Sequence, residues 1–301
     1  MSIRAIIDLG TNSIKTLVLD GADGKTLLDR GTVSRLGEGY LPETGISEAA
    51  IRRNLELLQE ELRQCKALGA EEILVAGTMI LRTAINAGDF LERAQSLTGI
   101  RIRIVSEAEE ARWSYLAAAG LAMDGDVLVF DLGGGSLELD RGRGENLISA
   151  RSLPLGAAIL TEAHKSSDLI TDADFTALDN EIDTSLSSYL QPEGEITVIG
   201  VGGCVATLAC VDLGLKSYDS ARIDGYRLSL RGIDQQLDFY RTHPKQEIAA
   251  LNGMQPGREP IMLAGAMVVS RILHLLKAGS CLVSARGWRH FLIGNELFKN
   301  N

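Results

Sequence analysis

Two short segments of this chain end an apolar strand in an aspartate and then turn sharply on small residues: Ile6-Ile7-Asp8-Leu9-Gly10-Thr11-Asn12-Ser13 and Val129-Phe130-Asp131-Leu132-Gly133-Gly134-Gly135-Ser136. Each offers a carboxylate, backbone N–H groups and hydroxyl or amide donors. Together these suit a phosphate held with a divalent cation: amides in such turns form an anion-binding concavity, and the Asp can hold or orient Mg²⁺ or its waters. One loop of this kind reads equally well as a hairpin turn with a local Asx hydrogen bond. Two loops of one design, one in each half, favour a ligand. Glycines 133, 134 and 135 permit a backbone approach that a side chain would block, although glycine also serves left-handed turn positions. Ser136 and Glu138 alternate onto the same face of the following strand, so hydroxyl and carboxylate can address one ligand. Glu138 is then a metal-side carboxylate, or else a solvent-facing strand residue.

A third turn, Gly200-Val201-Gly202-Gly203, lies between a strand and a helix. A helix N-terminus adds unsatisfied N–H groups and positive dipole, which makes Gly202 and Gly203 phosphate or nucleoside contacts; close helix packing explains them almost as well.

The elements that must position these turns follow from periodicity. A strand through Asp8, a strand over 14–19 and an extended run over 26–34 form hairpin grammar. From Ser47 to Leu68 the pattern becomes helical, with Ile51, Leu55, Leu58, Leu62 and Cys65 on one stripe and Ser47 as N-cap. Then come a strand over 72–76, a helical stretch carrying Arg82, a strand over 101–105 and a helix over 107–121, an α/β alternation. At Met123-Asp124-Gly125-Asp126 the apolar pattern breaks and the strand–turn–strand design restarts. The second half continues with helices over 156–164 and 172–190, a strand over 197–200 and a helix from Gly202. The remainder reads as mostly helical, including 262–276 and a final helix reaching Asn301. The spacing of the two turns is too long for a solenoid period and predicts two related lobes.

Composition narrows the class. The chain has 301 residues, 45% hydrophobic and 23% charged, with a net charge of -10. That length suits two domains, and the charge disfavours nucleic acid or an anionic membrane surface as partner. Cys65, Cys204, Cys210 and Cys281 show no metal-ligand spacing and read as reduced, buried thiols. The longest apolar run, 261–269, is too short to cross a bilayer, and Arg4 leads straight into a strand with no charged-then-apolar leader, so a cytoplasmic protein is expected. The histidines are scattered, and Trp113 and Trp288 read as core anchors.

Taken jointly, the motifs resemble the exopolyphosphatase / guanosine pentaphosphate phosphohydrolase (Ppx/GppA) family. Asp8 to Ser13, Gly77 to Ala84 with Asn86, Ser106 with Glu109-Glu110-Ala111, Asp131 to Glu138, Leu155-Gly156-Ala157 and Gly202-Gly203 occur in that family's order over nearly the whole chain. The resemblance implies two actin-like (ribonuclease H-like) α/β lobes, here 1–124 and 125–286, with a C-terminal helix over 287–301 joining the first, around a phosphate-bearing cleft. It implies Mg²⁺- or Mn²⁺-assisted hydrolysis of a terminal phosphoanhydride, with Asp8, Asp131 and Glu138 on the metal side. Gly10, Thr11, Asn12, Ser13, Gly133, Gly134, Gly135, Ser136, Gly202 and Gly203 would hold phosphates. Glu110 falls on the family's water-orienting position, Arg82 on a catalytic arginine, and Arg289 on a further phosphate-binding arginine. Polyphosphate or guanosine penta- or tetraphosphate is the implied ligand, and a homodimer is compatible with the family. The sequence departs from the pattern at Glu107, Leu137, Cys204, Ala285, His290 and Phe291, positions that bear on substrate grip rather than on Asp8, Glu110, Asp131 and Glu138. A non-catalytic nucleotide sensor and a kinase-like enzyme of the same superfold are the competing expectations.

Overall fold

The computed structural model describes residues 2–21, 24–122, 125–164, 169–191, 194–295 and 298. The first half builds strands β1 (Ile3–Leu9), β2 (Ser13–Leu19) and β3 (Thr26–Val33), helix α1 (Glu48–Ala67), β4 (Ala70–Gly77), helices α2 (Met79–Thr83) and α3 (Ala87–Thr98), β5 (Arg103–Ile104) and α4 (Glu107–Ala119). The second builds β6 (Asp126–Leu132), β7 (Leu137–Arg143), β8 (Asn146–Leu153), α5 (Ala157–Ala163), α6 (Asp172–Ser187), β9 (Ile196–Val201), α7 (Gly203–Asp212), α8 (Ser220–Ile223), β10 (Arg227–Ser229), α9 (Leu230–Thr242), α10 (Lys245–Ala249), α11 (Met262–Leu275), β11 (Ser280–Val283) and α12 (Trp288–Gly294).

These strands make two sheets, ordered β3-β2-β1-β4-β5 and β10-β11-β9-β6-β7-β8. In each, an antiparallel three-strand meander passes its first strand to parallel neighbours, β1 to β4 and β6 to β9. This repeated order is that of the actin-like α/β superfold. Chain contacts divide the protein into two compact units, Met1–Trp113 with Trp288–Asn301, and Ser114–Gly287. The division falls inside α4 instead of at the pattern break of 123–124, which lies outside the described residues.

Burial follows the alternation of each central strand. In β1, Ala5, Ile7 and Leu9 enter a core with the α1 stripe of Ile51, Leu55, Leu58, Leu62 and Cys65. Ile6 instead enters a core with Trp113 and Trp288, whose ring centroids lie 6.2 Å apart. Ser47 caps α1, its Oγ accepting from the Ala50 N–H. In the second unit Leu128 and Phe130 of β6 meet the helical layer that includes α7 and α11. Val127 and Val129 meet Tyr115, Ala118 and Ala119 of α4. β1 and β6 are thus buried on both faces, and each ends at one of the two aspartate turns.

Several expected elements differ. The strand over 101–105 is paired only at Arg103–Ile104, which meet Ala76 and Gly77. The stretch carrying Arg82 is two helices, α2 and α3, broken before Asn86, whose side chain bonds both backbone groups of Ile46. The region beyond residue 212 is not all helical: β10 and β11 extend the second sheet. Strands of three and four residues are too short to show an alternation, and only pairing reveals them. The final helix is described to Gly294; 296–297 and 299–301 lie outside the described residues. All four cysteines are buried and free, and no helix among the described residues is long and apolar enough to cross a membrane.

Candidate active site

In the first unit the turn after β1 is closed by the Gly10 N–H donating to the Ser13 carbonyl at 3.1 Å. Asp8, Thr11, Asn12 and Ser13 are all buried, unusual for a loop, whose polar groups normally face water. The following loop accounts for it: Ser34 and Arg35 N–H groups donate to the Asn12 carbonyl, and Gly37 N–H donates to the Thr11 carbonyl. Arg35 takes a left-handed φ of 49° to make this bond. Across the hairpin Asp8 stands opposite Lys15, so carboxylate and ammonium share one face. The Asn12 Nδ2 group is buried with no acceptor among the described residues.

Also in this unit, the N-terminus of α4 separates its adjacent glutamates. Ser106 Oγ accepts from the Glu109 N–H, and Glu109 Oε2 accepts from both the N–H and the hydroxyl of Ser106. This is a reciprocal capping box. Burial works against ionisation of Glu109, but the Ser106 hydrogen bonds and the Arg103 charge outweigh it and hold the carboxyl below its usual value. Glu110, one helical step of about 100° further round, turns instead to Arg82, whose Nη1 donates to its Oε2 at 2.7 Å. Both side chains are largely buried, at 12% and 13% exposure. Arg82 lies in the last turn of α2, and its Nη1 also donates to the Val105 carbonyl at 2.7 Å.

In the second unit the corresponding turn closes the same way, Gly133 N–H donating to the Ser136 carbonyl at 3.0 Å. Asp131 stands opposite Glu138, which places two carboxylates side by side. Ser114 Oγ donates to Asp131 Oδ2 at 3.3 Å, and Ser152 Oγ donates to Glu138 Oε1 at 3.0 Å. The start of α5 lies directly against the turn: Ala157 N–H donates to the Gly133 carbonyl, and those of Ala158 and Ile159 to that of Gly134. A Cβ on Gly156 would come within 2.4 Å of the Gly134 and Gly135 backbones. The 133–135 glycines do not take positive φ, so left-handed geometry does not explain them; a Cβ on Gly133 would meet the Ser136 carbonyl oxygen at 3.3 Å.

Gly202 is required on two counts. Its φ is 103°, and a Cβ there would meet the Leu132 carbonyl oxygen at 2.4 Å and Asp131 Oδ1 at 2.9 Å. The start of α7 therefore lies beside the Asp131 carboxylate. Over Gly203 lies Arg258, whose guanidinium would sit 2.3 Å from a Cβ at that position. Arg258 is 6% exposed and its Nε donates to Gln255 Oε1 at 3.1 Å. Burial is the largest influence on it and lowers its pKa. No carboxylate forms an ion pair with it among the described residues, so a buried cation stands at a helix N-terminus, where an anion would be doubly favoured.

Each unit thus gathers its own share of the expected residues: Asp8, Gly10 to Ser13, Arg82 and Glu110 in the first, Asp131, Gly133 to Ser136, Glu138, Gly202 and Gly203 in the second. Arg289 has a different place. It is 8% exposed, and its Nη1 donates to Asp29 Oδ1 at 3.3 Å, beside His290 Nε2 at 3.2 Å from Asp29 Oδ2. That pairing ties α12 to β3. Lys15 and Arg258 were missed in the sequence reading. Lys15 was open to discovery by aligning the two turns, because it holds the position of Glu138; Arg258 lies in coil before a 3-10 turn, and no local pattern marks it.

The sequence profile of the Ppx/GppA phosphatase family matches residues 17–299. Among solved structures, the chain is similar to the Ppx/GppA enzyme of Aquifex aeolicus, at 28% identity and a TM-score of 0.79, covering 98% of this chain and 99% of that one. It is similar to an exopolyphosphatase-like protein at 25% identity and TM-score 0.89, covering 99% of each chain. An exopolyphosphatase of Cytophaga hutchinsonii, 21% identical over 99% of this chain and 98% of its own, shares the fold at TM-score 0.89.

Proposed function

The chain belongs to the Ppx/GppA phosphatase family, and on that premise we propose that it releases the terminal phosphate of inorganic polyphosphate or of guanosine pentaphosphate by attack of water. The observation that carries the mechanism is the sorting of two adjacent glutamates, Glu109 into a helix cap and Glu110 onto Arg82. A carboxylate outside the cap can orient a water and take its proton. An arginine beside it can neutralise charge on the phosphate oxygens, the main demand of phosphoryl transfer. The Gly10–Ser13 and Gly133–Ser136 turns and the Gly202–Gly203 turn with Arg258 supply N–H donors and positive charge to phosphates, and Lys15 adds an ammonium.

Asp131 and Glu138 are hard oxygen donors on one face and fit Mg²⁺ or Mn²⁺. Among the described residues no three His, Cys, Asp or Glu side chains gather at one point. A partial protein ligand set suits Mg²⁺, which keeps waters and takes phosphate oxygens. When bound, the ion would offset phosphate charge; Asp131 and Glu138, oriented by Ser114 and Ser152, would hold it. A cytoplasmic setting completes the proposal.

The test is phosphate release from polyphosphate and from guanosine pentaphosphate, with Mg²⁺ and with chelator, by wild type and Glu110→Gln. Loss of about 10²- to 10³-fold in kcat is expected for the variant. Equal rates would remove Glu110 from this role, and tight nucleotide binding without turnover would make the protein a sensor.

A further inference from the structure

Resting on that reading, we propose that the Arg82–Glu110 pair is an autoinhibitory contact, in which the carboxylate assigned to the attacking water is withheld until a phosphate displaces it. Arg82 uses its donors unevenly. Nη1 serves both Glu110 Oε2 and the Val105 carbonyl, each at 2.7 Å. Nε and Nη2 are buried and find no acceptor among the described residues. A guanidinium is a five-donor fork shaped for two parallel bonds to a carboxylate or phosphate. Here the fork is engaged at one tip, and its remaining edge carries the penalty of unmet buried N–H groups.

The arrangement is therefore satisfied in charge and unsatisfied in hydrogen bonding. A phosphate brings several acceptor oxygens and more than one negative charge, so it can meet the orphaned Nε–Nη2 edge and also replace Glu110 as counter-charge. The neighbouring charges do not compete for this role, because Glu109 is held by Ser106 and Arg103. Once released from Arg82, the Glu110 carboxylate can accept from a water. In the paired state Glu110 acts on phosphate affinity through Arg82, as a competitor for it.

The test is a double-mutant cycle on the full chain, with inorganic phosphate as probe and calorimetric titration as readout, independent of turnover. Glu110→Gln removes the competitor and should bind phosphate about tenfold more tightly than wild type. In an Arg82→Gln background the same change should alter affinity less than about twofold. Tightening of equal size in both backgrounds would mean simple charge repulsion and would overturn the gate, as would no tightening in either. Should Arg82→Gln not fold, Arg82→Lys keeps the cation without the fork: tightening below about threefold is expected, and an undiminished tenfold effect overturns the proposal. Failure of the hydrolase reading shows separately, as absence of phosphate release by wild type.

Discussion

The hairpins at Asp8 and Asp131 are built to one plan and carry different charge. Each closes with the same backbone bond, from Gly10 to Ser13 and from Gly133 to Ser136. Each sets its aspartate opposite one residue on the return strand: Lys15 in the first, Glu138 in the second. Backbone pairing alone therefore does not decide what a turn binds. Asp8 with Lys15 is near neutrality and leaves the turn's N–H groups to attract an anion, whereas Asp131 with Glu138 concentrates negative charge that calls for a cation. Their supports differ too. The first turn leans on the 34–37 loop, and the second on the backbone of α5.

The most drastic way to erase the difference is Glu138→Lys, which gives the second hairpin the charge pattern of the first. A drop of about a thousandfold in kcat is expected, measured as phosphate release at saturating Mg²⁺; retention of most activity would show that the carboxylate pair has no part in the reaction. The supports come next. Gly156→Ala drives a Cβ into the Gly134 and Gly135 backbones and should cost about 3 kcal/mol in urea unfolding. Gly37→Ala meets chiefly the Thr11 Cγ2 atom, a side-chain atom that a turn about χ1 can move, and should cost about 1 kcal/mol.

Acid should separate the two sheet edges. Burial would raise the Asp29 carboxyl of β3, but the His290 hydrogen bond and the Arg289 charge outweigh it and lower it from 3.8 to about 2. A depressed carboxyl stabilises the fold above its unfolded value and loses that contribution as pH falls through the folded one, so about 2 kcal/mol should vanish between roughly pH 4 and 2. The corresponding edge strand β8 carries no carboxylate. Asp29→Asn should flatten the loss seen by thermal unfolding across this range. The mildest change is Lys15→Gln, expected to raise KM about tenfold with kcat nearly kept; an unchanged KM would leave the first turn without its extra charge.

Much of this was legible along the chain because it is local. The α1 stripe with its Ser47 cap, the aspartates at the ends of β1 and β6, and the restart in the second half are statements about neighbours in sequence. A capping box joins residues three apart, so the choice between Glu109 and Glu110 lies within reach of helical geometry. The pairing of Arg289 with Asp29 was hidden for the opposite reason: Asp29 lies in a strand at the far end of the sequence. The strands β10 and β11 stayed hidden because each needs its neighbour to be a strand at all.

Residue order by itself determined the family, the duplicated strand–turn–strand design and the list of groups able to handle phosphate, since strand period, turn chemistry and side-chain type are read within a few residues. Only the tertiary structure decided which charge faces which. Pairing set Lys15 on Asp8 and Glu138 on Asp131, packing laid Arg258 over Gly203, and folding joined Arg82 to Glu110. Electrostatic energy depends on separation through space and on exclusion of water, and neither is fixed until the chain has closed on itself.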